Sequence, residues 1–183
     1  MSELRTGRLV LRPVARTDEV ALRALWNQPD VRRFLFDGRP VTAEQIAGLV
    51  GDSIAAMAAH GWGLWVLLEP RDEDEDSARL VGAAGSVAWS GGAGVELWCS
   101  LDPACWGQGF AREAAAAILD HAFGPVGLGE VLVEVDEENA ASLRLVHWLG
   151  AAEIGVRPGD LGPLRVFRLS PGHGRPRLGG GLV

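Results

Sequence analysis

One stretch near the middle of the chain constrains the fold more than any other part of the sequence. Val95–Leu101 has the length and composition of a strand, and Pro103 then predicts a turn. Gly107 and Gly109 come next, before an alanine-rich helix predicted at 110–123. Glycines let the backbone turn sharply, and the unpaired N–H groups of the helix then converge on one point. This order predicts a binding site for a phosphate or pyrophosphate group.

The glycine pair does not match the commoner nucleotide-binding motifs. It is not followed by Gly-Lys-Ser/Thr, so it is not a Walker loop. The third glycine and the ribose-binding acid of the dinucleotide fingerprint are also missing. A Gly-x-Gly pair alone is equally consistent with a tight strand-to-helix turn, so its interpretation depends on the rest of the chain.

Apolar periodicity in the rest of the chain predicts a mixed α/β domain. Seven strands are predicted, at 8–13, 62–69, 79–89, 95–101, 130–135, 154–157 and 164–169. Four helices are predicted, at 17–27, 42–60, 110–123 and 138–149. Thr17 is the expected N-cap of the first helix, and Thr42 with Gln45 has the capping-box pattern of the second.

Two segments have the composition of solvated chain. The acidic run Asp72–Asp76 predicts an exposed hairpin loop, because like charges repel one another and favour water. Residues 171–183 are rich in Pro, Gly and Arg and predict a flexible tail. The remainder, 1–170, is expected to form a single domain, which suits a chain of 183 residues.

Composition and charge limit the classes of function. No apolar run approaches the ~20 residues that span a bilayer, and the first residues lack a signal-peptide pattern, so we expect a cytoplasmic protein without membrane contact. The net charge of −7 without a basic tract disfavours nucleic acid and suits a cationic acceptor. The two cysteines, Cys99 and Cys105, form no CxxC motif, so neither a disulfide framework nor a metal site is expected.

Three segments in order resemble the GCN5-related acetyltransferase (GNAT) superfamily, over residues 5 to about 170. They are Arg5–Pro13, then Trp106-Gly107-Gln108-Gly109-Phe110-Ala111, and then Asn139–Leu145 running to Leu149-Gly150. The second resembles the superfamily's acetyl-CoA loop. Trp106 stands where the wider superfamily has Arg or Gln, but Trp is usual in the branch of ribosomal-protein N-terminal (RimJ/RimL-type) acetyltransferases, which the chain resembles.

The resemblance implies both a fold and a cosubstrate. The fold is a central, mostly antiparallel sheet of about seven strands, splayed between the fourth and fifth strands and flanked by about four helices. The cosubstrate is acetyl-CoA, with no metal. The resemblance places its pyrophosphate on the backbone N–H groups of Gly107, Gln108, Gly109, Phe110 and Ala111, and it adds Trp106 and Arg112 to the cofactor-binding set. It places the pantetheine arm along Cys99, Ser100 and Leu101, with Asn139 reaching it from the last helix, and it adds Ser142 of the same helix to the cofactor-binding set.

The implied reaction is direct attack of a neutral amine on the thioester. Glu96 is the candidate base, because alternation along a strand puts it on the face opposite Leu97 and Cys99; a solvated strand residue is the alternative. The chain contains no Tyr, and Val146 stands where the superfamily often has a tyrosine acid. Ser142 is the preferred substitute, although a helix-face hydroxyl with only local bonds is the alternative.

The acceptor amine is open at this level. The branch resemblance favours a protein N-terminal α-amine, while a polyamine, an amino acid or an aminoglycoside would suit the acidic charge equally well. A module that binds acyl-CoA without turnover is a third interpretation, supported by the missing tyrosine, and a homodimer is left open. Candidate walls of the acceptor pocket are aromatic residues that would otherwise be core: Trp26, Phe34, Phe36, Trp62 and Trp89.

Overall fold

The structure is a computed structural model, and it describes residues 3–71 and 78–172. The strands are β1 Leu4–Arg5, β2 Val10–Pro13, β3 Leu64–Glu69, β4 Arg79–Ala88, β5 Val95–Leu101, β6 Val131–Asp136, β7 Ala152–Gly159 and β8 Gly162–Leu169. The helices are α1 Glu19–Trp26, α2 Pro29–Arg32, α3 Ala43–His60, α4 Phe110–Phe123 and α5 Ala140–Trp148. Short 3₁₀ turns lie at Arg16–Asp18, Phe36–Gly38 and Pro103–Cys105.

These strands form a single open sheet in the order β1-β2-β3-β4-β5-β6-β8-β7. Every neighbouring pair is antiparallel except β5 and β6, which are parallel. The parallel pair is in register at one position only, Glu96 opposite Leu132. Beyond that position the two strands separate, which is the predicted splay between the fourth and fifth strands of the sequence.

Apolar residues cover both faces of the sheet. On one face α4 and α5 bury Phe110, Ile118 and Val146 together with Leu97 of β5. On the other face α1 and α3 form a second cluster that includes Trp26 and Ile46, with Trp98 packed against it. Successive β5 residues therefore face different clusters, as strand alternation requires.

The mixed α/β class and the mostly antiparallel, splayed sheet are confirmed, with two additional elements in the described residues: eight strands and five helices, against about seven and four predicted. The extra strand is the short β1, which pairs with β2. The extra helix is α2, which starts at Pro29 where the sequence had suggested only a helix end. Proline is well placed there, because the first helical residue needs no N–H partner.

Helix boundaries show one prediction that is confirmed and two that are wrong. Thr42 and Gln45 form the expected reciprocal cap of α3, at 3.2 and 2.9 Å. Thr17 is not an N-cap; it lies inside a 3₁₀ turn, and α1 begins only at Glu19. The last helix starts at Ala140 rather than at 138, because the Asn139 side chain caps it.

Some predictions fall outside the described residues. The acidic run Asp72–Asp76 lies wholly outside them, and of the predicted tail 171–183 only residues 171 and 172 lie within them. Within the described ranges, no helix is long and apolar enough to cross a membrane.

Candidate active site

A V-shaped gap between β5 and β6 organises the site. The two strands meet at Glu96 and Leu132 and diverge toward their carboxyl ends. β5 leads through a turn to the N-terminus of α4 at Gly109, and β6 leads to the N-terminus of α5 at Asn139. Two helix N-termini therefore follow the open end of the V, where their unpaired N–H groups favour an anionic ligand.

The glycine loop at the start of α4 has the backbone that its sequence predicts. Gly107 and Gly109 adopt φ values of +74° and +86°, which L side chains rarely adopt, so glycine is required by conformation. Phe110 is buried and fixes the first turn of α4 in the core. Residues 106–109 are exposed, so their backbone N–H groups are accessible to a ligand.

Backbone alternation decides which β5 groups face the gap. The Asp102 N–H donates to the Val81 carbonyl of β4 at 2.9 Å. Because N–H and C=O groups in an antiparallel pair alternate between the two sides, the backbone of Ser100 also points to β4. The backbone groups of Cys99 and Leu101 point instead toward β6, across the gap.

Several side chains around the end of β5 already form hydrogen bonds within the protein. The Ser100 hydroxyl accepts a bond from Trp26 Nε1 at 2.9 Å and donates to the Ala83 carbonyl at 3.1 Å. Trp106 donates its indole N–H to the Leu101 carbonyl at 3.0 Å, which ties the loop to the end of β5. Burial raises the pKa of Cys99 to about 12, so its thiol stays protonated and is a poor nucleophile.

Glu96 lies at the closed end of the V and is 7% exposed. Burial, and next the nearby carboxylate of Glu134, raise the pKa of Glu96 to about 7. A hydrogen bond with the Trp98 side chain and the charge of Arg157 act in the opposite direction but are outweighed. Glu96 is thus a buried carboxyl whose pKa lies near neutral pH.

Sequence reasoning missed the group that sits beside Glu96. The Glu134 side chain is 7% exposed and forms a bidentate ion pair with Arg157 of β7. It also accepts a bond from Trp89 Nε1 at 2.7 Å, and Arg157 donates to Ser90 at 2.9 Å. The one available signal was an acid interrupting the apolar run of β6, which did not reveal its partners.

The start of α5 positions the other predicted residues. Asn139 Oδ1 accepts the Ser142 N–H at 3.1 Å, which leaves the two N–H donors of the Asn139 amide for a further acceptor. Ser142 lies in the first turn of α5 and is half-buried. Val146, at the usual tyrosine position, is buried in the core.

The aromatic residues predicted to line the acceptor pocket do not form one cluster in the structure. Trp26 and Phe36 lie edge to face at 5.6 Å, and Phe36 contacts Trp98 in the same way at 5.8 Å. This cluster covers the face of β5 that carries Glu96. Phe34 lies instead under the Arg33 guanidinium, and Trp62 stacks on His60.

The backbone of Phe36 and Asp37, beside this aromatic cluster, has an unusual conformation. Phe36 and Asp37 both have positive φ, at 60° and 54°, a strained conformation for non-glycine residues that is common near functional sites.

The exposed Arg112 of α4 lies over the Trp148 ring at 5.3 Å, and Ala111 beside it is half-buried. In the described ranges no group of three or more His, Cys, Asp or Glu residues could hold a metal ion.

Comparisons with known proteins agree with this geometry. Residues 8–152 match the acetyltransferase (GNAT) domain family. An uncharacterized N-acetyltransferase of Bacillus subtilis (strain 168) is 28% identical over 154 residues, covering 84% of each chain. The acetyltransferase from Agrobacterium tumefaciens is similar in structure, with a TM-score of 0.77, 26% identity and coverage of 92% and 94%.

A third similarity shows the fold alone, with a TM-score of 0.73 and 18% identity. It is to the spermidine N-acetyltransferase of Vibrio cholerae in complex with CoA and spermine, with coverage of 92% of this chain and 98% of that one. The glycine loop, the splayed parallel strands and the family match lead to one conclusion: the chain belongs to the GNAT family and is an acetyl-CoA-dependent N-acetyltransferase.

Proposed function

We propose that this enzyme transfers the acetyl group to a protein N-terminal α-amine by direct attack on the thioester. The observation that carries the proposal is Glu96, a buried carboxyl at the closed end of the V whose pKa is raised to about 7. The pKa of Glu96 is closer to that of an α-amine, about 8, than to that of a lysine-like amine, about 10, so proton transfer from an α-amine to Glu96 is easier. The same proposal includes membership of the ribosomal-protein N-terminal branch and a cytoplasmic location.

The cofactor arrangement follows from the open end of the V. The pyrophosphate binds the backbone N–H groups of residues 107–111 at the N-terminus of α4. The pantetheine arm adds to β5 through the backbone groups of Cys99 and Leu101, which face the gap. Asn139 donates its free amide N–H groups to a pantetheine carbonyl from α5.

Three groups carry the proposed chemistry: the side chains of Glu96 and Ser142 and one backbone N–H of β5. Glu96 takes the proton of the attacking amine, directly or through water. A β5 backbone N–H that faces the gap stabilises the oxyanion formed from the thioester carbonyl. Ser142 supplies the proton to the departing CoA thiolate, since Val146 replaces the tyrosine that often has this role in the superfamily.

A small cationic amine is the second candidate acceptor, and one observation favours it. Burial, and next the carboxylate of Asp37, raise the pKa of Asp136 at the end of β6. Two carboxyl groups that interact there would attract an acceptor with more than one positive charge. The spermine-bound structural neighbour has an acceptor of this class.

A panel of acceptors separates the two candidates. Purified enzyme is given acetyl-CoA with a lysine-free peptide bearing a free N-terminus, or with an N-terminally blocked peptide containing one lysine. Spermidine and an aminoglycoside are tested in parallel, and released thiol and product mass are recorded. We expect acetylation of the free α-amine at a rate at least ten times that of the other acceptors. Faster turnover of spermidine would replace the first candidate with the second.

A further inference from the structure

The N-terminal segment contacts the cofactor loop through one ion pair. Glu113, in the first turn of α4, is 8% exposed and pairs with Arg8, the residue that precedes the buried Leu9. These two residues are 105 positions apart in the sequence. Neither belongs to the cofactor set that the family resemblance implies.

Both oxygens of the Glu113 carboxylate have partners in the N-terminal segment. Oε1 accepts the Thr6 hydroxyl at 2.6 Å and the Arg8 backbone N–H at 2.7 Å. Oε2 accepts a hydrogen bond from Arg8 Nε at 2.8 Å and lies 2.7 Å from Arg8 Nη2 in the ion pair. These bonds outweigh burial and lower the pKa of Glu113, so it is charged at neutral pH. The carboxylate therefore holds both the backbone and the guanidinium of Arg8.

The remaining contacts of Arg8 are with the glycine loop itself. Its Nη1 donates to the Gln108 carbonyl at 3.0 Å, and its guanidinium carbon lies 4.4 Å from the centre of the Phe110 ring. Its Nη2 would lie 3.5 Å from a Cβ added at Gly109. Arg8 thus contacts Gln108 and Phe110 and lies close to Gly109 between them.

Holding the Gln108 carbonyl also orients a donor. In a trans peptide the C=O and the following N–H point in opposite directions. Because Arg8 binds the Gln108 carbonyl, the Gly109 N–H is turned away from Arg8. Gly107 and Gly109 are conformationally permissive, so without this bond the peptide between residues 108 and 109 would be free to rotate.

The Arg8–Glu113 pair also neutralises a negative charge at the N-terminus of α4. A carboxylate in the first turn of α4 would repel an anionic pyrophosphate at the same helix terminus. Arg8 neutralises it, so the attraction of the helix terminus for the ligand is preserved. The side chain of Arg8 is 48% exposed, so its charge is also felt at the surface of the loop.

We propose that Arg8, held by Glu113, is a positioning residue for the pyrophosphate of acetyl-CoA: it fixes the 108–109 peptide and cancels the Glu113 charge. The inference rests on the proposed placement of the pyrophosphate on this loop. It makes the N-terminal segment a functional part of the cofactor site rather than an edge of the sheet.

The test compares two thioesters that differ in the pyrophosphate. Arg8→Gln is assayed with acetyl-CoA and with S-acetylpantetheine, which lacks the nucleotide, and kcat/KM is measured for each. We expect kcat/KM for acetyl-CoA to fall at least about tenfold through KM, with kcat within about twofold, because the Glu113 carboxylate would then repel the pyrophosphate and the 108–109 peptide would no longer be held. For S-acetylpantetheine we expect kcat/KM to be unchanged. Arg8→Lys, which keeps the charge, should recover part of the loss.

Arg12→Gln is the matched control. Arg12 lies on β2 and forms an ion pair with Asp18, with 2.8 Å between Nη2 and Oδ1, and this pair does not involve the glycine loop. The Arg12→Gln variant should lose stability without any change in kcat/KM for either thioester. If Arg8→Gln does not fold, Glu113→Gln is the second variant. It releases the guanidinium but also removes the repelling carboxylate, so it should show a smaller loss that is still selective for acetyl-CoA.

Equal loss with both thioesters, no loss with either, or the same selective loss in Arg12→Gln would overturn the proposal. A wild-type enzyme whose kcat/KM is the same for acetyl-CoA and S-acetylpantetheine would instead remove the pyrophosphate placement on which the proposal rests.

Discussion

Replacing Glu96 with Gln tests the mechanism most directly, because the substitution keeps the shape of the side chain and removes its charge. An ordinary carboxyl, with a pKa of 4.5, would be about three-quarters ionised at pH 5. With its pKa raised to about 7, Glu96 is half ionised at pH 7, and at pH 5 only about one part in a hundred is ionised. Turnover that depends on the Glu96 carboxylate should therefore fall about 50-fold between these two pH values.

The assay is thiol release at saturating acetyl-CoA and peptide, from pH 5 to pH 9. Glu96→Gln should lower kcat by roughly 10²- to 10⁴-fold and abolish the wild-type limb near pH 7, with acetyl-CoA affinity nearly unchanged. A limb from the acceptor amine should remain in both proteins, since the substitution leaves the substrate as it was. Glu130→Gln, an exposed acid one residue before β6, is the matched control and should behave like the wild type.

Two outcomes would refute this reasoning. One is a Glu96→Gln enzyme whose kcat stays within about threefold of the wild type, because general-base catalysis contributes far more than that. The other is a limb near pH 7 that persists in the variant, which would assign the titration to a different group.

Three further predictions concern the same site. Glu134→Gln should move the wild-type pH limb to lower pH, because the Glu134 charge is the second cause of the raised Glu96 pKa; an unmoved limb would contradict this coupling. Gly109→Trp should abolish CoA binding in a calorimetric titration, whereas Gly127→Trp, also at a positive φ but outside the loop, should retain it. Because the pKa of Glu96 is raised by folding, its contribution to stability is present below about pH 4.5 and lost as pH rises through 7. Glu96→Gln should therefore be more stable than the wild type at pH 8, by at most about 3 kcal/mol, and denaturation at pH 8 and pH 4 checks that the difference disappears in acid.

Local patterns in the sequence were enough for most of the fold. The Thr42–Gln45 cap and the glycines at 107 and 109 depend on residues within a few positions of one another, so their conformations could be predicted. The small elements β1 and α2 could not be predicted in the same way. β1 has only two residues, and it exists because β2 lies beside it to provide hydrogen-bond partners.

The site was predictable where it follows the chain and hidden where it depends on folding. Glu96 was found from strand alternation, but its raised pKa comes from burial and from Glu134 on the neighbouring strand. Arg157 reaches Glu134 from 23 positions away, and Arg8 reaches Glu113 from 105. No spacing rule covers such pairs, because the sheet order brings them together.

The separation of β5 and β6 has a consequence for the stability of the whole molecule. It places an internal sheet edge at Cys99 and Leu101, whose backbone groups face the gap rather than a neighbouring strand. A cosubstrate that hydrogen-bonds to this edge acts as a removable strand, and it binds only the folded chain. At a concentration 100 times its dissociation constant it adds about 2.7 kcal/mol to the free energy of unfolding. The fraction of the enzyme that is unfolded at equilibrium would then depend on the concentration of acetyl-CoA.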